Sequence, residues 1–203
     1  MSDRSQRTQD ELGIPDFPGD VKDFLLSFPA IGASIRRARE EVSRIHVAAQ
    51  SLVAHQSWFS AGGFLTEAGH SHLRVWRQDW DPGQSEGCPW ISFVFTINWD
   101  HTRTETRLQL ETRRGAVPQS TVDEVGKDLA KRVRARNLPW LKAQGWLLHQ
   151  PLRSRLVLLE RCEPCTHASF SARWVVAGAV GQISQLAELV PDIEAAVKES
   201  LGG

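Results

Sequence analysis

From residue 89 to 100 the chain reads PWISFVFTINWD, in which Ile91, Phe93, Phe95, Ile97 and Trp99 alternate with Ser92, Thr96 and Asn98. A period of two marks a strand with one buried face and one polar face. A helix would scatter the same residues around its axis. The stretch therefore constrains the chain to a sheet that buries one side. Its neighbours repeat the pattern. His72 to Trp76 alternates more weakly, and the link DPGQSEGCP between the two runs is rich in turn residues. Downstream, Thr104, Thr106, Leu108, Leu110 and Thr112 share one face against Arg103, Glu105, Arg107, Gln109, Glu111 and Arg113. Together these runs predict a three-stranded antiparallel meander.

A different period surrounds the meander. Ile31, Ile35, Ala38, Val42, Ile45, Ala49 and Leu52 recur at spacings of four and three. They predict a long helix with one apolar stripe, which packs on the sheet or forms a seam with a second copy. Asp20 is placed to cap a short preceding helix that Pro29 ends, and Gly62-Gly63 ends the long one. Ser120 or Thr121 caps a second helix, with Glu124 completing a capping box and Val122, Val125, Leu129 and Val133 as its buried stripe. Pro139 disfavours helix at Leu138, so residues 140–144 form a separate turn. Leu156 to Glu160 and His167 to Val176 read as a hairpin across RCEPCT. Gly178 and Gly181 precede a last helix carrying Ile183, Leu186, Leu189, Ile193 and Val197, bent at Pro191.

The expected fold is thus α+β, in the order α-βββ-α-ββ-α, with a mostly antiparallel five-stranded sheet packed against long helices. Residues 1–19, punctuated by Gly13, Pro15, Pro18 and Gly19, read as a flexible lead-in, and 20–203 as one domain. At 203 residues a single core suffices without metal or disulfides. The three cysteines are an odd number, the first residues are polar, and no run of 18 apolar residues occurs. The expectation is a cytoplasmic chain that does not enter a membrane.

Net charge is zero, yet residues 101–160 carry 12 basic and 6 acidic groups. Lys127, Lys131, Arg132, Arg134, Arg136 and Lys142 cluster on and just after the second helix. Such a stripe can neutralise phosphates, with Trp140 or Trp146 stacking on unpaired bases. Trp is itself abundant at eight residues. Trp76, Trp80 and Trp90 flank the 81–89 link and make it a candidate contact for a protein partner, because indoles bury much area and keep a donor. Cys162, Cys165 and His167 have the spacing of one side of a zinc site, and Cys88, His70 or His72 would supply a fourth ligand. The patterns G-x-S-x-G, G-x-x-x-x-G-K-[ST], H-E-x-x-H and G-x-G-x-x-G are all missing.

Over residues 31–160 the order of elements resembles the core of PD-(D/E)XK nucleases. That resemblance implies an Asp near the second strand and Glu-x-Lys on the third. Asp100 and Glu111-Thr112-Arg113 stand at those places, with Arg where an active enzyme has Lys. Over residues 31–201 the order is also similar to that of class I type III secretion chaperones, which implies a non-enzymatic dimer that binds other proteins. The leading expectation is a non-catalytic accessory protein that engages a protein partner, as a homodimer or homo-oligomer. The alternative is a nucleic-acid-binding protein using the basic helix on a degenerate nuclease-like core.

Overall fold

In the computed structural model, residues 19–80, 89–98, 102–111, 117–149, 155–166 and 170–201 are described. Residues 1–18 of the lead-in and 81–88 of the link, with Trp99, Asp100, Thr112, Arg113 and His167, lie outside them, whereas Gly19 opens the first helix. Helix α1 spans Gly19–Ala54, followed by α2 (Ser57–Ala61) and four strands. These are β1 (Phe64–Ala68), β2 (Leu73–Arg77), β3 (Ile91–Asn98) and β4 (Arg103–Glu111), with a short 3-10 turn at Gln78–Trp80. Then come α3 (Gln119–Arg136), α4 (Pro139–Ala143), β5 (Leu147–Leu148), β6 (Arg155–Pro164), α5 (Ala172–Ala187) and α6 (Val190–Leu201). Two compact units divide the chain between Arg39 and Glu40, inside α1.

The first unit contributes the start of α1. Pro29 sits inside this helix, where the sequence predicts an end. Its ring removes one backbone donor, but the turns on either side keep their own hydrogen bonds and the helix continues. Residues 34–39 are exposed all round, and Ile35 is 47% accessible.

The second unit holds the sheet, in the order β1-β2-β3-β4-β6-β5, with every described pairing antiparallel. It has six strands rather than the expected five. β1 and β5 were not anticipated, and of the strand expected over His167 to Val176 the described residues, 170–176, are not a strand. Helix α5 starts there instead, with the Ser171 hydroxyl accepting from the Trp174 N–H at 3.2 Å. Val175, Ala179, Gln182, Ile183 and Leu186 are its buried positions, so a 3.6-residue period decides the apolar run RWVV. The expected hairpin is replaced by β6 running straight through Cys162 to Pro164. Four strands therefore precede α3, which departs from the order on which both family resemblances rest. The bend expected at Pro191 is a break at Glu188–Leu189, with Pro191 in the first turn of α6, where its missing donor costs nothing.

The alternation read in residues 91–98 and 103–111 holds in the cross-strand register. Phe93 stands opposite Leu108, Phe95 opposite Thr106 and Ile91 opposite Leu110. α1 covers this face through the His46 ring, set edge-on to Phe95 with centroids 6.0 Å apart. α5 covers it through Gln182, hydrogen-bonded to the Thr106 hydroxyl. Along α1, among the residues whose side chains are described, the buried positions are Val42, His46, Ala49 and Val53. Leu52, expected on the core stripe, is 49% exposed. The burial stripe is set by where the sheet lies, one position away from the most regular apolar spacing. Leu158 is an extra residue in β6, because Leu108 pairs with Leu159 and Gln109 with Val157. This bulge lets both Leu158 and Leu159 be buried despite being adjacent.

The other face carries the charged set. Glu105 is enclosed by its neighbours: Arg103 Nε at 2.7 Å and Asn98 Nδ2 at 2.8 Å donate to Oε1, and Arg107 pairs with Oε2. Arg107 Nε reaches Glu160 at 2.8 Å, and His149 Nε2 lies 3.3 Å from the same carboxylate.

Candidate functional site

Helix α3 begins after Pro118, which occupies the N-cap, rather than at the predicted Ser120 or Thr121 cap. The Pro118 carbonyl accepts from the Thr121 and Val122 N–H groups, so the first turn closes without a capping side chain. The buried stripe is as read from the sequence: Val122, Val125, Leu129 and Val133, joined by Gly126 and Ala130. At the other end Asn137 turns left-handed (φ 43°, ψ 50°), a conformation Asn adopts more readily than most residues. Pro139 then keeps Leu138 extended (φ −61°, ψ 121°) and starts the separate turn α4, as the sequence requires. Gly145, at φ +71°, swings the chain back into β5.

This turn–helix–turn shapes a groove of about 340 Å³ between the end of α3, α4 and β5. Val133, Leu138, Leu141, Trp146 and Leu148 form its apolar surface, and Arg134, Asn137 and Lys142 supply its polar groups. The Trp146 indole N–H donates to Gln185 Oε1 at 3.0 Å, and Trp140 donates to Glu188 Oε2 at 2.9 Å. The two rings meet edge to face at 5.8 Å, which fixes that wall of the groove.

The predicted basic stripe is split in two. Arg132 bonds Asp128 at 2.6 Å and Glu199 at 2.5 Å, and Arg136 bonds Asp192 at 2.7 Å and the Glu188 carbonyl at 2.9 Å. Both guanidiniums are thereby committed to holding α6. Lys127, Lys131, Arg134 and Lys142 are exposed, and among the described residues they have no hydrogen bond or ion pair. Lys127, Lys131 and Arg134 share one helical face, and Arg134 and Lys142 reach the groove.

The other predicted site residues are placed differently. Trp76, Trp80 and Trp90 are only 6%, 1% and 3% exposed and belong to the core. Trp80 lies edge-on to Phe93 at 5.6 Å and to Phe64 at 6.0 Å. Packing accounts for the burial of these indoles. Cys162 and Cys165 are half-buried thiols without a disulfide. Cys162 sits across from Glu105 in the sheet, and Cys165 lies just past the strand end, its N–H on the Thr102 carbonyl at 2.8 Å. Burial pushes both thiols above their ordinary pKa, with Glu160 adding to the effect at Cys162 and Glu163 at Cys165. A raised thiol pKa disfavours the thiolate that redox chemistry requires. Among the described residues no group of three His, Cys, Asp or Glu is placed to hold a metal ion. Glu111 accepts from Gln109 Nε2 at 2.9 Å on the charged face.

Of the groove's apolar members, Trp146 was singled out by sequence, as a stacking residue, whereas Leu138, Leu141 and Leu148 were not read as site residues. Asn137-Leu138-Pro139 directly after a basic helix was the available signal, since it marks a helix end with apolar residues on both sides. Set against known proteins, the chain matches no family model, no curated protein and no solved structure.

Proposed function

We propose that this chain is a non-catalytic binding protein that takes an acidic, apolar segment of a partner protein into the groove between α3, α4 and β5. The observation that carries the reading is the pairing of an apolar floor with two uncommitted cations, Arg134 and Lys142. Apolar side chains in a concave site provide contact area, while charges at its margin select the partner and set its register. The volume accommodates one or two large side chains, as in anchor-type recognition.

The test is selection from a random 12-residue peptide library, with the wild-type chain and the Arg134→Glu/Lys142→Glu variant run in parallel. The wild type should enrich peptides with Asp or Glu beside Leu, Ile, Phe or Trp, and the variant should lose them. Absence of enrichment, or equal enrichment by both chains, would overturn the reading.

A second reading rests on Lys127, Lys131, Arg134 and Lys142 together, all exposed and uncommitted. These groups suit a phosphate backbone, and nucleic acid is the alternative partner class. Binding of single-stranded oligonucleotides that collapses between about 50 and 200 mM salt would support it over the first.

A further inference from the structure

His46 is fully buried on the sheet side of α1, and its Nδ1 lies 2.6 Å from the Gly69 carbonyl oxygen in the turn between β1 and β2. A carbonyl only accepts, so Nδ1 carries a proton, and in the neutral ring the lone pair is on Nε2. Nε2 is also buried, with no hydrogen-bond partner among the described residues. The neighbouring positions that α1 buries, Val42, Ala49 and Val53, are apolar, and Phe95 of β3 is the ring against which His46 rests. The titratable groups facing it come from the turn, His70 and His72. Glu67 lies beside them, with Oε2 3.9 Å from His72 Nε2 and the side chain 54% exposed.

We propose that His46 is an acid-sensitive clamp, which at neutral pH pins α1, from Glu40 onward, to the β1–β2 turn and on protonation releases it. A second proton would have to sit on Nε2, where no described residue accepts it. The resulting charge would be desolvated and would face the imidazoles of His72 and His70. Burial lowers the His46 pKa below its ordinary 6.5; the Gly69 hydrogen bond opposes this, and His72 and His70 add to the lowering. A base whose folded pKa lies below its unfolded value stabilises the fold fully above 6.5 and loses that contribution as pH falls. The release is local because the contact is local. Besides His46, Gln50 ties this stretch of helix to β1, donating to the Thr66 carbonyl at 3.2 Å, whereas α3 and α5 hold β3, β4 and β6 through other residues.

Hydrogen exchange read by mass spectrometry between pH 7.5 and 5.0, corrected for intrinsic rates, tests this on the full chain. Protection of residues 40–54 and 64–75 should fall at least about tenfold on acidification, while residues 172–201 keep theirs. His46→Gln, whose side-chain amide can donate to Gly69 and does not titrate, should remove that pH dependence. Constant protection in the wild type, or an equal loss in His46→Gln, would overturn the proposal. If the variant does not fold, the wild-type His46 imidazole can be titrated by NMR. A midpoint below 6.5 that coincides with the loss of protection supports the clamp, and a midpoint at or above 6.5 overturns it.

Discussion

Arg136 Nη1 lies 2.7 Å from Asp192 Oδ2 and 2.9 Å from the Glu188 carbonyl, joining the last turn of α3 to the start of α6. A basic residue counted as part of an open stripe is in this way an internal fastener. Arg136→Ala should lower stability by about 0.2–1 kcal/mol in urea titrations, the usual range for an accessible ion pair. Lys127→Ala and Lys131→Ala should change it by less than about 0.5 kcal/mol, because they release no partner. Equal losses at all three positions would contradict the division of the stripe.

Trp80→Ala should destabilise the chain by about 3–5 kcal/mol, since it removes a fully buried indole from between Phe64 and Phe93. Thermal unfolding measures this directly. A variant with wild-type stability would return the indole to the role of a surface contact.

Thr106 and Gln182 form a buried side-chain hydrogen bond between β4 and α5. Gln182→Ala should cost about 1–3 kcal/mol, because it strands a buried hydroxyl. The double variant Thr106→Val/Gln182→Leu should lie nearer the wild type than the sum of the single variants. A double-variant cycle in denaturant reads the coupling, and strict additivity would show that the bond does not link helix to sheet.

Glu105 dominates the acid limb on the charged face. Burial raises its pKa, but hydrogen bonds from Arg103 and Asn98 and the charges of Arg107 and Arg103 outweigh it and hold the carboxyl below its ordinary 4.5. Its contribution to stability is therefore present above pH 4.5 and lost as pH falls further. Glu105→Gln should flatten the stability profile below pH 4.5 and leave the His46-dependent decline below 6.5 in place. A single decline that both Glu105→Gln and His46→Gln abolish would show that the two are not independent.

Gly62 faces the aromatic group at the end of α2. An added Cβ would clash with Phe64 Cε2 and lie 2.8 Å from the Trp58 carbonyl oxygen. Gly62→Ala should cost about 1–3 kcal/mol, as overpacking does, with the loss visible in thermal unfolding. At Gly69, where a Cβ meets nothing, Ala should be tolerated at less than about 0.5 kcal/mol.

The strands β2, β3 and β4, the buried stripe of α3 and the break at Pro139 were legible because each follows from neighbours in the chain. A two-residue period, a 3.6-residue period and the clash of a proline ring with the residue before it are local facts. The run RWVV was not legible, since a short apolar segment fits a strand or a helix until something packs against it. Nor was the placement of the candidate site. Arg132 and Arg136 differ from Lys131 and Arg134 only in facing α6, and Leu52 differs from Val53 only in facing away from the sheet. The eight Trp residues announced large buried area, but not whether the core or a partner takes it up. The sequence by itself determined which segments are periodic and which side of each is apolar. Tertiary structure decided which of those sides is covered and which cations remain uncommitted, because burial and pairing depend on elements up to a hundred or more residues away.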